Sequence, residues 1–230
     1  MFVHVSLQSF FSILLCSEQP SKNCEIKPRL VAVILGHGYI RRLGERYNQG
    51  MLPHRGPKEL ELHFIGVGGG RVCAQNPEND LFMKIPEVRS YHPDVIFIQA
   101  GENDVPYVSS RRVVDELLAL AEALAHECHP HTIITGQLVH FPAQDPLGPI
   151  SKAVHDSLTA YHSSSSNTMA GSTRLQYWRH RIGFYGNSSD YFADDVNLNE
   201  LGILKFYKSI MATVGKRARE VLLDRQRSPS

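Results

Sequence analysis

The chain of 230 residues predicts an α/β domain: a mostly parallel five-stranded sheet between two layers of helices. Three observations carry that prediction. Short segments that read as strands recur at 31–35, 60–67, 95–100, 132–139 and 175–182, the first of them an apolar run rich in β-branched residues. Between them lie stretches with helical spacing of apolar residues, and strands alternating with helices give parallel pairing through right-handed crossovers. Three of the runs also end in glycine-rich turns, which reverse the chain where open α/β sheets bind ligands.

The first run, 31–35, reads as a strand buried on both faces. Gly36-His37-Gly38 breaks it and opens a helix carrying Tyr39, Ile40 and Leu43 on one side. That helix start offers free N–H groups and a partial positive charge at the sheet edge. Residues 49–57, with two glycines and two prolines, form a loop. The second strand, 60–67, runs into Gly68-Gly69-Gly70, and a helical segment over 81–91 carries Pro86 near its middle as a kink or break. The third strand stops at Gly101-Glu102-Asn103-Asp104. Ser109 or Ser110 then caps a helix whose stripe is Val113, Val114, Leu117, Leu118, Leu120, Ala121 and Leu124. After the fourth strand come a helix over 149–162, a serine-rich loop at 163–166 and the fifth strand. Asn199 caps the last helix, with Leu198 set to pack on Ile203 as a hydrophobic staple, and the helix runs through Phe206, Ile210 and Val214 toward Leu223.

Composition narrows the function. With 24 basic and 23 acidic residues, nothing favours nucleic acid or anionic lipid as a partner. Lys216, Arg217, Arg219, Arg225 and Arg227 read as the solvated face of the last helix. Four scattered cysteines, Cys16, Cys24, Cys73 and Cys128, give no disulfide framework, which makes a reduced, cytoplasmic setting the default. Residues 10–16 form an apolar segment of signal-peptide length, but no Lys or Arg precedes it, and it is shorter than the roughly 20 residues a membrane span needs. The expected organisation is an N-terminal extension at 1–28, one domain at 29–215 and a basic helix end and tail at 216–230.

Four short blocks, in order, carry a family resemblance: Gly36-His37-Gly38, Gly66-Val67-Gly68-Gly69, Gly101-Glu102-Asn103-Asp104 and Asp194-Asp195-Val196-Asn197-Leu198. Over about residues 29–215 the chain resembles the SGNH, or GDSL-like, hydrolases. That resemblance implies a three-layer, doubly wound, flavodoxin-like sheet and an esterase-type site with no cofactor and no metal. It puts Gly38 in the place of the nucleophilic serine, Gly68 and Asn103 in the place of the oxyanion donors, Asp194 in that of the orienting carboxylate and Asn197 in that of the histidine base. A fold does not fix a function, so the residues present decide.

Ester hydrolysis by this route needs a hydroxyl, an imidazole to take its proton, a carboxylate to orient the imidazole, and oxyanion donors. Glycine supplies no nucleophile, and asparagine is no base near neutral pH. The expected protein is therefore catalytically defective, with a pocket retained for a small ester, acyl or glycan ligand. Two alternatives stand beside it. One is an active carboxylesterase or acetylesterase with a relocated nucleophile or base, for which His37 and His180 are the candidates, Ser188 and Ser189 reading first as turn residues. The other is an interaction domain without a pocket. Asp194 and Asn103 also have plainer readings, as a carboxylate beside a helix start and as a brace for its turn. His126, Cys128, His129 and His131 have metal-ligand side chains but no common zinc spacing, and they straddle a helix end. Gly36-x-Gly38 is no dinucleotide fingerprint, because Arg41 takes the third glycine position and no acidic residue ends strand two. A serine at 38 would be strained if Gly38 has positive φ.

Overall fold

The computed structural model describes residues 29–139, 148–164, 168–180, 189–194 and 197–227. The expectations for the 1–28 extension, Cys16, Cys24 and Ser188 fall outside these residues. The elements are β1 (Leu30–Gly36), α1 (Gly38–Asn48), β2 (Leu60–Gly66), α2 (Ile85–Ser90), β3 (Val95–Gln99), α3 (Ser110–Cys128), β4 (Thr132–Gly136), α4 (Gly148–Ser164), β5 (Arg174–Trp178) and α5 (Glu200–Arg227). All pairings are parallel, in the order β2-β1-β3-β4-β5. This is the doubly wound sheet that the sequence predicts.

Strand alternation divides the core into two layers. On one face Leu30, Ala32 and Ile34 of β1 and Val95 and Phe97 of β3 pack with Ile40 and Leu43 of α1 and Phe206, Tyr207 and Ile210 of α5. On the other face Val33, Leu35, Ile96 and Ile98 pack with Val88 of α2, Val113, Leu117 and Leu124 of α3, and Val154 and Leu158 of α4. β1 is buried at every position, as its unbroken apolar run requires. Because β1 lies between β2 and β3, the chain ends after these three strands meet at one edge, with α1 starting there.

Several boundaries move. Pro86 does not kink a helix: a 3-10 turn, Leu81–Lys84, ends there and Pro86 sits in the first turn of α2, where its missing N–H costs nothing. β4 stops at Gly136 rather than at residue 139, where the chain passes tightly over Phe97 and Gln99. α5 continues to Arg227, with Ala218 and Val221 buried in the core. Its basic residues are partly paired: Arg217 with Glu220, and Arg225 with Asp94 and the Arg29 carbonyl. Ser109 and Asn199 cap α3 and α5 as expected, accepting from Arg112 N–H at 3.4 Å and Gly202 N–H at 2.9 Å. Leu198 and Ile203 share the same core layer. No helix among the described residues is long and apolar enough to cross a membrane.

Candidate functional site

The turn between β1 and α1 is held from inside. His37 is the N-cap of α1, its Nδ1 accepting the Tyr39 N–H at 3.5 Å, and its side chain is almost wholly buried. Its Nε2 lies 3.2 Å from Glu102 Oε2. Glu102 is itself 1 % exposed, and its Oε1 accepts from Gln99 Nε2 at 2.5 Å and from Val139 N–H at 3.0 Å. Burial works to raise this carboxyl, but the facing His37 ring and the N–H donors of Val139 and Gln99 outweigh it and hold it below the usual carboxylate range.

Gly38 takes the first helical position of α1, outside the positive-φ region. A Cβ built there meets nothing within 4 Å, and the same holds at Gly68. The strain considered for a serine at 38 therefore does not arise. Gly36 and Gly66 differ: a Cβ would strike the Gln99 carbonyl in the first case and the Arg41 backbone in the second, because β1 passes against β3 at Gly36 and β2 against α1 at Gly66.

Beyond β2, the Asn103 side chain donates to the Gly70 carbonyl at 3.0 Å, tying the third glycine-rich turn to the second. Asp104 fastens the same turns from below, accepting from Val72 N–H at 3.1 Å and Cys73 N–H at 2.9 Å. Asn103 thus braces its turn against the glycine-rich turn after β2, bonding the backbone two residues past Gly68. The fourth block lies on the α5 side. Asp194 accepts from Asn197 twice, from its N–H at 2.6 Å and its side-chain amide at 2.7 Å, and Arg42 Nη2 donates to Asn197 Oδ1 at 2.5 Å. Arg42 stands one turn along α1 from Gly38, so Asn197 is anchored to the helix that Gly38 begins. Tyr39 joins the two sides. Its phenol is pushed up by burial first and then by the charges of Glu102 and Asp194, against Arg42.

His180 does not approach this edge as a free base. It is 4 % exposed, with Nε2 3.0 Å from Gln99 Oε1 and Nδ1 2.8 Å from Ser209 Oγ, and burial pushes its imidazole down to about 4. The candidate metal residues separate. His129 takes the left-handed cap position of α3, His131 faces Asp224 at 3.3 Å, and His126 lies beside Glu127. No group of three or more metal-ligand side chains occurs among the described residues.

No protein-family model matches the sequence, and no curated protein matches it either. Solved structures do. A serine mutant of an acetyl esterase with acetate ion shares 13 % identity, covering 84 % of this chain and 99 % of that one, with a TM-score of 0.59. A member of the lipolytic protein G-D-S-L family from Veillonella parvula shares 17 %, covering 84 % and 97 %, at 0.57. The lipase/acylhydrolase from Enterococcus faecalis shares 16 %, covering 82 % and 96 %, at 0.55. The chain has the SGNH hydrolase fold. Within that SGNH fold, the inner polar residues Glu102, Gln99 and Ser209 escape a motif-based reading. Most of their contacts join positions far apart in sequence, and Glu102 fills only the unspecified place in Gly-x-Asn-Asp. Arg42 has a faint sequence signal: it follows Gly38 by four, on the same face of α1.

Proposed function

We propose that this protein is a catalytically defective SGNH hydrolase-like protein that keeps a pocket for a small ester, acyl or glycan ligand. The observation that carries the reading is Asn197. Its amide is engaged by Asp194 and Arg42 at the place where the resemblance puts a histidine, while Gly38 leaves open space where it puts a serine. An amide held this way takes no proton from a hydroxyl. In a serine hydrolase, losing nucleophile or base costs on the order of a million-fold in turnover, whereas oxyanion contacts and binding alone keep roughly a thousand-fold over water. Among the solved structures of this fold is a serine-to-alanine mutant of an acetyl esterase with acetate ion.

A relocated base finds less support, because the His37 and His180 rings are both buried and occupied. Purified protein is expected to leave short p-nitrophenyl esters unhydrolysed while acetate, small esters or acetylated sugars raise its melting temperature. Turnover near the typical enzyme median of about 10 per second would overturn the loss of catalysis. Failure of the whole ligand panel to shift the melt would assign an interaction role without a pocket.

A further inference from the structure

Beneath the proposed pocket runs a buried chain of polar side chains that fixes its own hydrogens. Gln99 Nε2 faces two acceptors, Glu102 Oε1 at 2.5 Å and the Gln137 carbonyl at 2.9 Å, so the amide nitrogen must point to them and Oε1 to His180. His180 Nε2 therefore carries a proton, and its Nδ1 accepts from the Ser209 hydroxyl, which in turn accepts from Trp178 Nε1 at 3.1 Å. His180 is held neutral, as its depressed value of about 4 also requires. The same logic reaches His37. Its Nδ1 accepts the Tyr39 N–H, so the ring proton sits on Nε2, facing Glu102 Oε2. Among the described residues His37 Nε2 and Glu102 Oε2 are both buried with no hydrogen-bond partner, and they lie 3.2 Å apart.

We propose that Glu102 is the positioning residue of this edge: as a carboxylate it dictates the Nε2–H tautomer of His37, and that tautomer caps the first turn of α1 where Gly38 lies. Glu102 touches no reacting atom. It acts through His37 on one side, and through Val139 N–H and Gln99 on the chain leaving β4 and on β3. Its functional weight rests on the edge being a ligand site, whereas the tautomer assignment stands without that reading.

Long-range 1H–15N spectra of the ¹⁵N-labelled full chain at pH 7 test this directly, with the His37 signals assigned by their loss in His37→Asn. The expected result is two neutral buried imidazoles, each with its downfield, unprotonated nitrogen at Nδ1. In Glu102→Gln the new amide keeps its oxygen toward Gln99 and Val139 and turns its NH₂ toward His37. The downfield resonance of His37 should then move from Nδ1 to Nε2, and Tyr39 N–H, its acceptor gone, should exchange faster with solvent. His180, still facing Gln99 Oε1, should not change. A merely structural glutamate would leave the His37 tautomer where it was. A doubly protonated His37 in the parent, a parent downfield nitrogen at Nε2, or a Glu102→Gln spectrum identical to the parent's would each overturn the proposal. Should Glu102→Gln not fold, the parent spectrum alone decides. Ligand melts of the parent are read separately, so an empty pocket and a wrong tautomer give different failures.

Discussion

The two sides of α1 at the sheet edge are built by different rules. Inside, His37, Glu102, Gln99 and His180 are each no more than 4 % exposed, and their bonds lie shut off from solvent. Outside, Asp194 is exposed and Asn197 half-buried, and their mutual bonds span three residues, with Arg42 added from the helix. Burial makes the inner set all-or-none, because an orphaned buried polar group costs its full desolvation. The rim's bonds lie beside solvent, so its chemistry can change while the fold stands.

The largest effect should come from re-equipping the rim. Gly38→Ser together with Asn197→His is expected to hydrolyse p-nitrophenyl acetate at least about a hundred-fold faster than either single change, because nucleophile and base act as a unit. Arg42, donating to residue 197, disfavours an imidazolium there and keeps the gain below that of an ordinary esterase. Equal gains from one substitution would mean that the two positions do not form a pair.

The inner layer should show itself in acid. The folded-state value of His180 is depressed to about 4 against about 6.5 unfolded, so its neutral form favours folding above the unfolded value, and that advantage is lost as pH falls toward 4. Half-buried His162, also lowered by burial to about 4, adds to the loss in the same window, more weakly for its partial exposure. Glu102, held below the ordinary carboxylate range, keeps its contribution until the pH falls further still. Urea unfolding at pH 7, 5 and 4 should reveal a loss on the order of 3 kcal/mol between the ends of that series. A flat profile would mean that His180 is not held neutral in the core.

The smallest expected effect separates cap from chemistry. Asn199→Ala removes the acceptor for Gly202 N–H at the start of α5 and should cost about 1 kcal/mol in a urea melt. In the Gly38→Ser, Asn197→His background it should leave the catalytic gain intact. If that gain disappeared as well, the rim would depend on α5's first turn for more than its backbone path.

Much of this was legible in the chain itself. Apolar runs located all five strands, and Ser109 and Asn199 announced the helices that they cap. Pro86 misled because its constraint is compatible with a helix start as well as with a break. The end of β4 at Gly136 was misplaced because apolar character continues through Leu138 and Val139, beyond the point where pairing stops. At the site, the glycine of the first block and the asparagine of the fourth could be read from order alone. Glu102 opposite His37 could not, since that pairing exists only after β1 and β3 lie side by side.

The glycines of the edge carry a last implication. Gly36 and Gly66 sit where neighbouring backbone leaves no room for even a methyl group, whereas Gly38 and Gly68 open onto empty space. The first two are dictated by the architecture, and mutational drift there would break the sheet. The other two are unfilled by sequence alone, so a hydroxyl or a different reactive group fits there by a change of side chain that leaves the chain trace untouched.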